Sequence, residues 1–279
     1  HEISIGVEQA FATDDGTYHA ELSKITRVPW EDHDVLISDI TLKNKGTSPL
    51  PIPNLQGRYK LDEAVEQTAD IVQFDRVLAI APGSEMKLYL ISKIPYTYEF
   101  QKIELFLDEK INEETTATEL LRFQHSSDLS PLPSIRHGDK HIVQAIGNRA
   151  EVVSRKIDTY HSPSSKLVVA SLVATNLEKR YTEAGNYVAQ FKTADGTVYP
   201  ATLVKPANKI APNGKGLLSF QANVPATIDT KQLQLLLGEA VSATTPPANS
   251  GQRNTEGGAA EPNAYVNIVQ FHLPAEKEE

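Results

Sequence analysis

The chain spells one pattern twice, and this repeat constrains its fold more than any other feature. Residues 35–107 and 167–237 carry the same order of apolar alternation, turns and prolines. Asn44 follows Leu36, Ile40 and Leu42, and Asn176 follows Val168, Leu172 and Ala174. Pro82 and Gly83 then precede Met86, Leu88 and Leu90, as Pro212, Asn213 and Gly214 precede Leu218, Phe220 and Ala222. Ile94-Pro95 matches Val224-Pro225, and Ile103, Leu105 and Leu107 match Leu233, Leu235 and Leu237. The stretch 120–124 resembles 268–272 as a closing strand. A period of about a domain's length means a duplicated globular module, not a solenoid of short units.

Alternation with period two dominates, and helical periodicity is hard to find. Strands are predicted at 3–7, 35–42, 77–80, 87–91, 102–107 and 120–123. In the second half they fall at 142–145, 151–157, 167–175, 188–191, 217–222, 232–237 and 266–272. The best helix candidate, 61–70, lacks a continuous apolar face. Many short strands punctuated by Gly, Pro, Asn and Asp indicate an all-β chain of two tandem antiparallel β-sandwich domains. One set of alternate positions is apolar and the other mixed, which predicts sheets with one buried and one wet face. The expected division is a first module at 1–125, a Pro- and Ser-containing linker at 126–139, a second module at 140–274 and a charged tail at 275–279. Pro131 and Pro133 make the linker an extended spacer. The copies differ most before their closing strands, at 108–118 and 242–263, and these loops are where function is expected.

Each half of the 279 residues is long enough to bury its own core. A formal net charge of −9 with scattered Lys and Arg argues against nucleic acid and anionic membrane surfaces as partners. The chain contains no cysteine, which removes disulfides, thiolate zinc sites and thiol catalysis together. No apolar run approaches the ~20 residues of a membrane-spanning helix, and His1-Glu2-Ile3 does not read as a signal peptide.

No motif carries catalysis. There is no Gly-x-Ser-x-Gly elbow and no Gly-rich phosphate loop between a strand and a helix. No catalytic residue and no cofactor are therefore expected. Candidate metal ligands are His137, Asp139 and His141, two imidazoles and a carboxylate within five residues, set against a solvated turn at Gly138 and Lys140. His33 between Asp32 and Asp34 reads as a loop residue. The pairs Asp15-Gly16 and Asp195-Gly196 read as tight turns. Trp30 is the candidate ligand-binding residue, since with Tyr96, Tyr98, Tyr160, Tyr187 and Tyr199 it offers flat rings for stacking on a polysaccharide. The competing reading packs it over a sheet edge.

Residues 39–46 (Asp-Ile-Thr-Leu-Lys-Asn-Lys-Gly), Leu50-Pro51 and Gly57-Arg58-Tyr59 resemble the Ig-like modules of bacterial cell-surface proteins and lipoproteins of Gram-positive type. The second copy keeps Asn176 and Pro212 but has Glu178 or Lys179 in place of Gly46. The resemblance implies two Ig-like sandwiches, an extracellular or cell-surface location, and no active site. The expected function is thus a non-catalytic structural or interaction protein of a bacterial envelope, acting in a surface layer, in adhesion or as a scaffold. Its partners would be other envelope proteins or further copies of itself. A carbohydrate-binding accessory module of a secreted enzyme is the alternative. A third reading rests on His1, which is similar to the N-terminal copper-binding histidine of copper β-sandwich proteins and lytic polysaccharide monooxygenases.

Overall fold

The structure, a computed structural model, describes residues 4–74, 77–110, 118–126, 128–145, 147–241 and 264–274. His1, the tail at 275–279, the loop at 242–263 and most of the loop at 108–118 lie outside the described residues. Every regular element among the described residues is a strand. They form two compact units, one ending at Pro131 and the other comprising Leu132–Ala240 with the closing strand from Tyr265.

In the first unit the strands are β1 (Glu8–Thr13), β2 (Gly16–Trp30), β3 (His33–Lys43), β4 (Leu50–Pro51), β5 (Leu55–Leu61), β6 (Val65–Gln73), β7 (Ala79–Ile80), β8 (Glu85–Pro95), β9 (Lys102–Glu109) and β10 (Thr118–Ser126). Their order is β1-β2-β3-β8-β6-β5-β9-β10, with β4 and β7 paired separately. The sheet folds over at β6. Residues Leu61 to Gly57 of β5 pair with Val65 to Ala69, whereas Asp70 to Gln73 pair with β8. Two layers result, β1-β2-β3-β8-β6 and β5-β9-β10, which pack as a β-sandwich. Between them lie Leu22, Ile25, Leu36, Ile40 and Leu90 from one layer and Tyr59, Leu105, Leu107 and Phe123 from the other.

The second unit repeats this plan with β11 (Ser134–Ile135), β12 (Lys140–Val143), β13 (Ala150–His161), β14 (Ser165–Asn176), β15 (Tyr187–Lys192), β16 (Val198–Val204), β17 (Lys215–Pro225), β18 (Gln234–Val241) and β19 (Ala264–His272). The order β12-β13-β14-β17-β16-β15-β18-β19 answers the first unit strand for strand, and β11 adds a parallel edge beside β19. Strand β16 does what β6 does, pairing with β15 through Val198–Ala201 and with β17 through Thr202–Val204. Even the irregularities recur. A β-bulge at Ser23 in β2 is matched by one at Arg155 in β13. Each bulge shifts the phase of alternation, so the core side passes from Leu22 to Ile25 and from Val152 and Ser154 to Ile157.

The repeated asparagines explain why the pattern is legible. Asn44 and Asn176 are 1% and 2% exposed. Asn44 Nδ2 donates to Ser48 O and Ile80 O, both at 2.8 Å, and its Oδ1 accepts the Gly46 N–H at 2.9 Å. Asn176 Nδ2 donates to Arg180 O and Ile210 O at 2.8 and 2.9 Å, and its Oδ1 accepts the Glu178 N–H at 2.8 Å. Glu178 therefore stands where Gly46 does. The Gly83 and Asn213 N–H groups donate to the two asparagine carbonyls, from turns with positive φ at both residues. One side chain ties the loop after the second long strand to the loop before the next, in each copy.

Several expectations need correction. The helix candidate at 61–70 is a hairpin, the loop Asp62-Glu63-Ala64 followed by β6. The strand expected at 3–7 is not formed at 4–7, and the first strand begins at Glu8. Strands β1, β2, β4, β5, β6, β11 and β16 fall outside the predicted strands. Within the expected linker at 126–139 the Ser130 N–H donates to Ile25 O, the Gln270 N–H donates to Pro133 O, and β11 belongs to the second unit. The outer face of the first unit's larger layer is not wet. Val28, Val35, Ile37, Tyr89 and Ile91 are 4% exposed or less, although they point away from the core between the layers.

Candidate functional site

The candidate metal ligands do not converge. His137 Nδ1 lies 3.1 Å from Ser154 Oγ, Arg136 Nε donates to Asp139 Oδ2 at 3.0 Å, and His141 packs edge-on against Phe271 at 6.0 Å. Burial lowers the pKa of His141, which favours its neutral form. Among the described residues no three His, Asp or Glu side chains gather as a metal site. His33 Nδ1 sits 2.5 Å from Asp32 Oδ1 at the tip of the β2–β3 hairpin. His1 lies outside the described residues.

The aromatic platform is not assembled. Trp30 is 7% exposed at the end of β2, with Lys93 Nζ 5.7 Å from its ring centroid, so its face is unavailable for stacking on a sugar. Tyr187 is also buried, and Tyr98 and Tyr199 pack partly into separate cores. Tyr96 and Tyr160 are exposed but belong to different units. The Asp-Gly pairs are turns as expected, with positive φ at Gly16 and Gly196.

Two polar groupings were not foreseen. On the outer face of the smaller layer of the first unit, Phe106 of β9 lies between Arg58 of β5 and Arg122 of β10, whose guanidinium carbons stand 3.8 and 5.2 Å from its centroid. Arg58 Nε donates to Asp108 Oδ2 at 2.8 Å, and Arg122 pairs with Glu104. Glu104 and Asp108 are 0% and 2% exposed, and cation–π contact and ion pairing together cover Phe106. In the second unit, Glu239 faces Tyr187 across β18 and β15. Asn267 Nδ2 donates to Glu239 Oε2 at 2.7 Å, while Glu239 Oε1 and the Tyr187 hydroxyl lack hydrogen-bond partners. Burial raises the pKa of both groups, and the Glu239 charge raises that of Tyr187 further.

The clearest difference between the copies is one corner of the smaller layer, where the strand that switches layers is entered. In the first unit this corner is filled. Asp62 Oδ1 accepts the N–H groups of Gln101 and Lys102 at 2.7 and 2.9 Å, and Lys102 Nζ bonds Glu63 at 2.7 Å. That bond holds the Glu63 carboxyl below its usual pKa. In the second unit the corresponding loop is Ala194-Asp195-Gly196. The Gly196 N–H donates to Thr193 O at 3.0 Å as the Ala64 N–H donates to Leu61 O at 3.1 Å. Ala194 thus replaces Asp62. Across the strands, Lys192 pairs with Gln234 where Lys60 pairs with Glu104.

Asp62 is therefore missing from the second corner, where Lys192 stands for Lys60, and Lys231 and Gln232 stand for Gln101 and Lys102. A groove of about 550 Å3 opens there, and Lys192, Lys231, Gln232, Gln234 and His272 supply its polar lining. The nearby acids are engaged. Asp195 Oδ1 accepts from the Thr193 hydroxyl and from the Thr197 N–H at 3.1 Å, which lowers its pKa, and Asp229 Oδ1 accepts the Lys231 N–H at 2.9 Å. Ser134 Oγ lies 2.6 Å from His272 Nε2 and fixes the imidazole at the groove edge. Nothing in the sequence alone marked this groove, because Lys192 and His272 are 80 positions apart and meet only through strand pairing.

No family model matches the chain, and no curated protein is detectably similar to it in sequence. Among solved structures, an uncharacterized β-sandwich protein from Clostridium difficile 630 is similar at a TM-score of 0.32 and 8% identity, over 46% of this chain and 95% of its own.

Proposed function

We propose that this chain is a non-catalytic interaction protein of a bacterial cell envelope, in which two sandwiches present loops and strand ends to partners. The observation that carries this reading is the corner contrast. The same module occurs twice, and one copy sets Asp62 on both strand-entry N–H groups where the other has Ala194 beside a groove. Duplicated scaffolds diverge where contacts are made, while folding residues such as Asn44 and Asn176 stay the same. The placement of His137, Asp139 and His141 on separate partners favours surface recognition over chemistry. The envelope location rests on the resemblance carried by residues 39–59 and on a cysteine-free tandem sandwich. Light scattering on the eluting chain tests self-assembly as the mode of action. A mass rising with concentration above 30.6 kDa is expected, and a strict monomer at high concentration would contradict it.

A further inference from the structure

We propose that the open corner of the second sandwich binds an acidic peptide segment, one carboxylate of which takes the seat that Asp62 fills in the first. This names the partner chemistry of the interaction role above and rests on it. The first unit displays the bound state in miniature. A carboxylate lies against the strand-entry backbone of β9, held by two N–H groups at 2.7 and 2.9 Å with a lysine beside it. The second unit keeps the strand entry, has Ala194 in place of Asp62 and Lys231-Gln232 in place of Gln101-Lys102, and lines the groove with Lys192, Lys231 and His272. In a chain of net charge −9 this lining holds two lysines and no acid, and opposite charge steers and holds an anionic partner. Asp229 occupies the Lys231 N–H, so the ligand carboxylate is received by Gln232 with the Lys192 ammonium.

The lining favours a peptide over an acidic sugar. Among the described residues no Phe, Tyr or Trp ring lines the groove, whereas flat rings are the usual platform for sugar faces. Ala194 and Leu273 instead offer small apolar contacts, and the Gln232 and Gln234 amides can pair with a peptide backbone.

Fluorescence anisotropy on the full chain with a labelled octapeptide of alternating glutamate and glycine tests the proposal, with the glutamine version as control and oligogalacturonate as competitor. Saturable binding of the glutamate peptide alone is expected, weakened by salt. Joint Lys192→Gln and Lys231→Gln substitution should weaken it about tenfold or more. Ala194→Asp should do the same without removing a cation, because it restores the internal carboxylate. Lys156→Gln, outside the groove on β13, should change nothing. Unaltered circular dichroism melts exclude misfolding as the cause. No binding, equal binding of the glutamine peptide, indifference to Ala194→Asp, or tighter binding of oligogalacturonate would each overturn the proposal. A chain that assembles in light scattering yet ignores the peptide loses only the groove. One that binds the peptide as a monomer loses only self-assembly.

Discussion

Asn44 shows what a single amide can do at a sandwich end. Its three polar valences close two loops beside the short β4–β7 pairing, and Asn176 repeats the arrangement beside the Thr182–Ile210 bridge. Truncation leaves one buried carbonyl, one part-buried carbonyl and one part-buried N–H without a side-chain partner, each worth about 1 kcal/mol. Asn44→Ala and Asn176→Ala should therefore each destabilise their own unit by ~2–4 kcal/mol. Amide hydrogen exchange should accelerate at Gly46 in the first case and Glu178 in the second. Unchanged protection at those amides would contradict the assignment. Glu239 works the other way. Its pKa is raised by burial, so folding binds a proton that the unfolded chain releases near pH 4.5. The contribution of this group is fully present below that pH and is lost as pH rises through the folded value. Glu239→Gln should therefore stabilise the second unit at pH 7 and flatten its stability from pH 4 to 7, as read by urea midpoints. A lower midpoint at pH 7 would refute the account.

At the scale of elements, the β5-β9-β10 layer of the first unit is locked on its outside by the Arg58–Phe106–Arg122 stack. Removing Arg58 strands Asp108, which is 2% exposed. Arg58→Ala should cost about 3 kcal/mol, whereas combining it with Asp108→Ala should cost less than the sum of the two. An additive double-mutant cycle in denaturant unfolding would disprove the coupling. The same elements show what the sequence revealed. Strands β3, β8, β9, β14, β17 and β18 were readable because an unbroken period of two fills the core from one side. Strand β2 was not, because the bulge at Ser23 reverses its phase between Leu22 and Ile25, and Pro29 interrupts its end. The β5–β6 hairpin was mistaken for a helix because its turn holds positive φ at Asp62 and Glu63 instead of at glycine. Gly57 in β5 has a packing cause that no periodicity reveals: a Cβ there would meet Leu90 Cδ2 at 2.5 Å.

Across the whole molecule, duplication fixes two sandwiches of one strand order and leaves function to the positions where they diverge. The sequence comparison found the repeat but sought divergence in the loops at 108–118 and 242–263, most of which lie outside the described residues. The divergence described here is smaller and chemical, Asp62 against Ala194 and Glu104 against Gln234, at positions brought together only by pairing across strands. Trp30 is the candidate for its flat ring, yet ring shape carries no information about exposure, and it is buried. The most direct test of the account is residue-resolved amide chemical-shift mapping of the intact chain during titration with the alternating glutamate–glycine peptide. The account predicts saturating shifts at Lys192, Thr193, Gln232, Gln234 and His272, with the corresponding Lys60, Leu61 and Lys102 unmoved. Equal shifts at both corners, or shifts elsewhere alone, would contradict it.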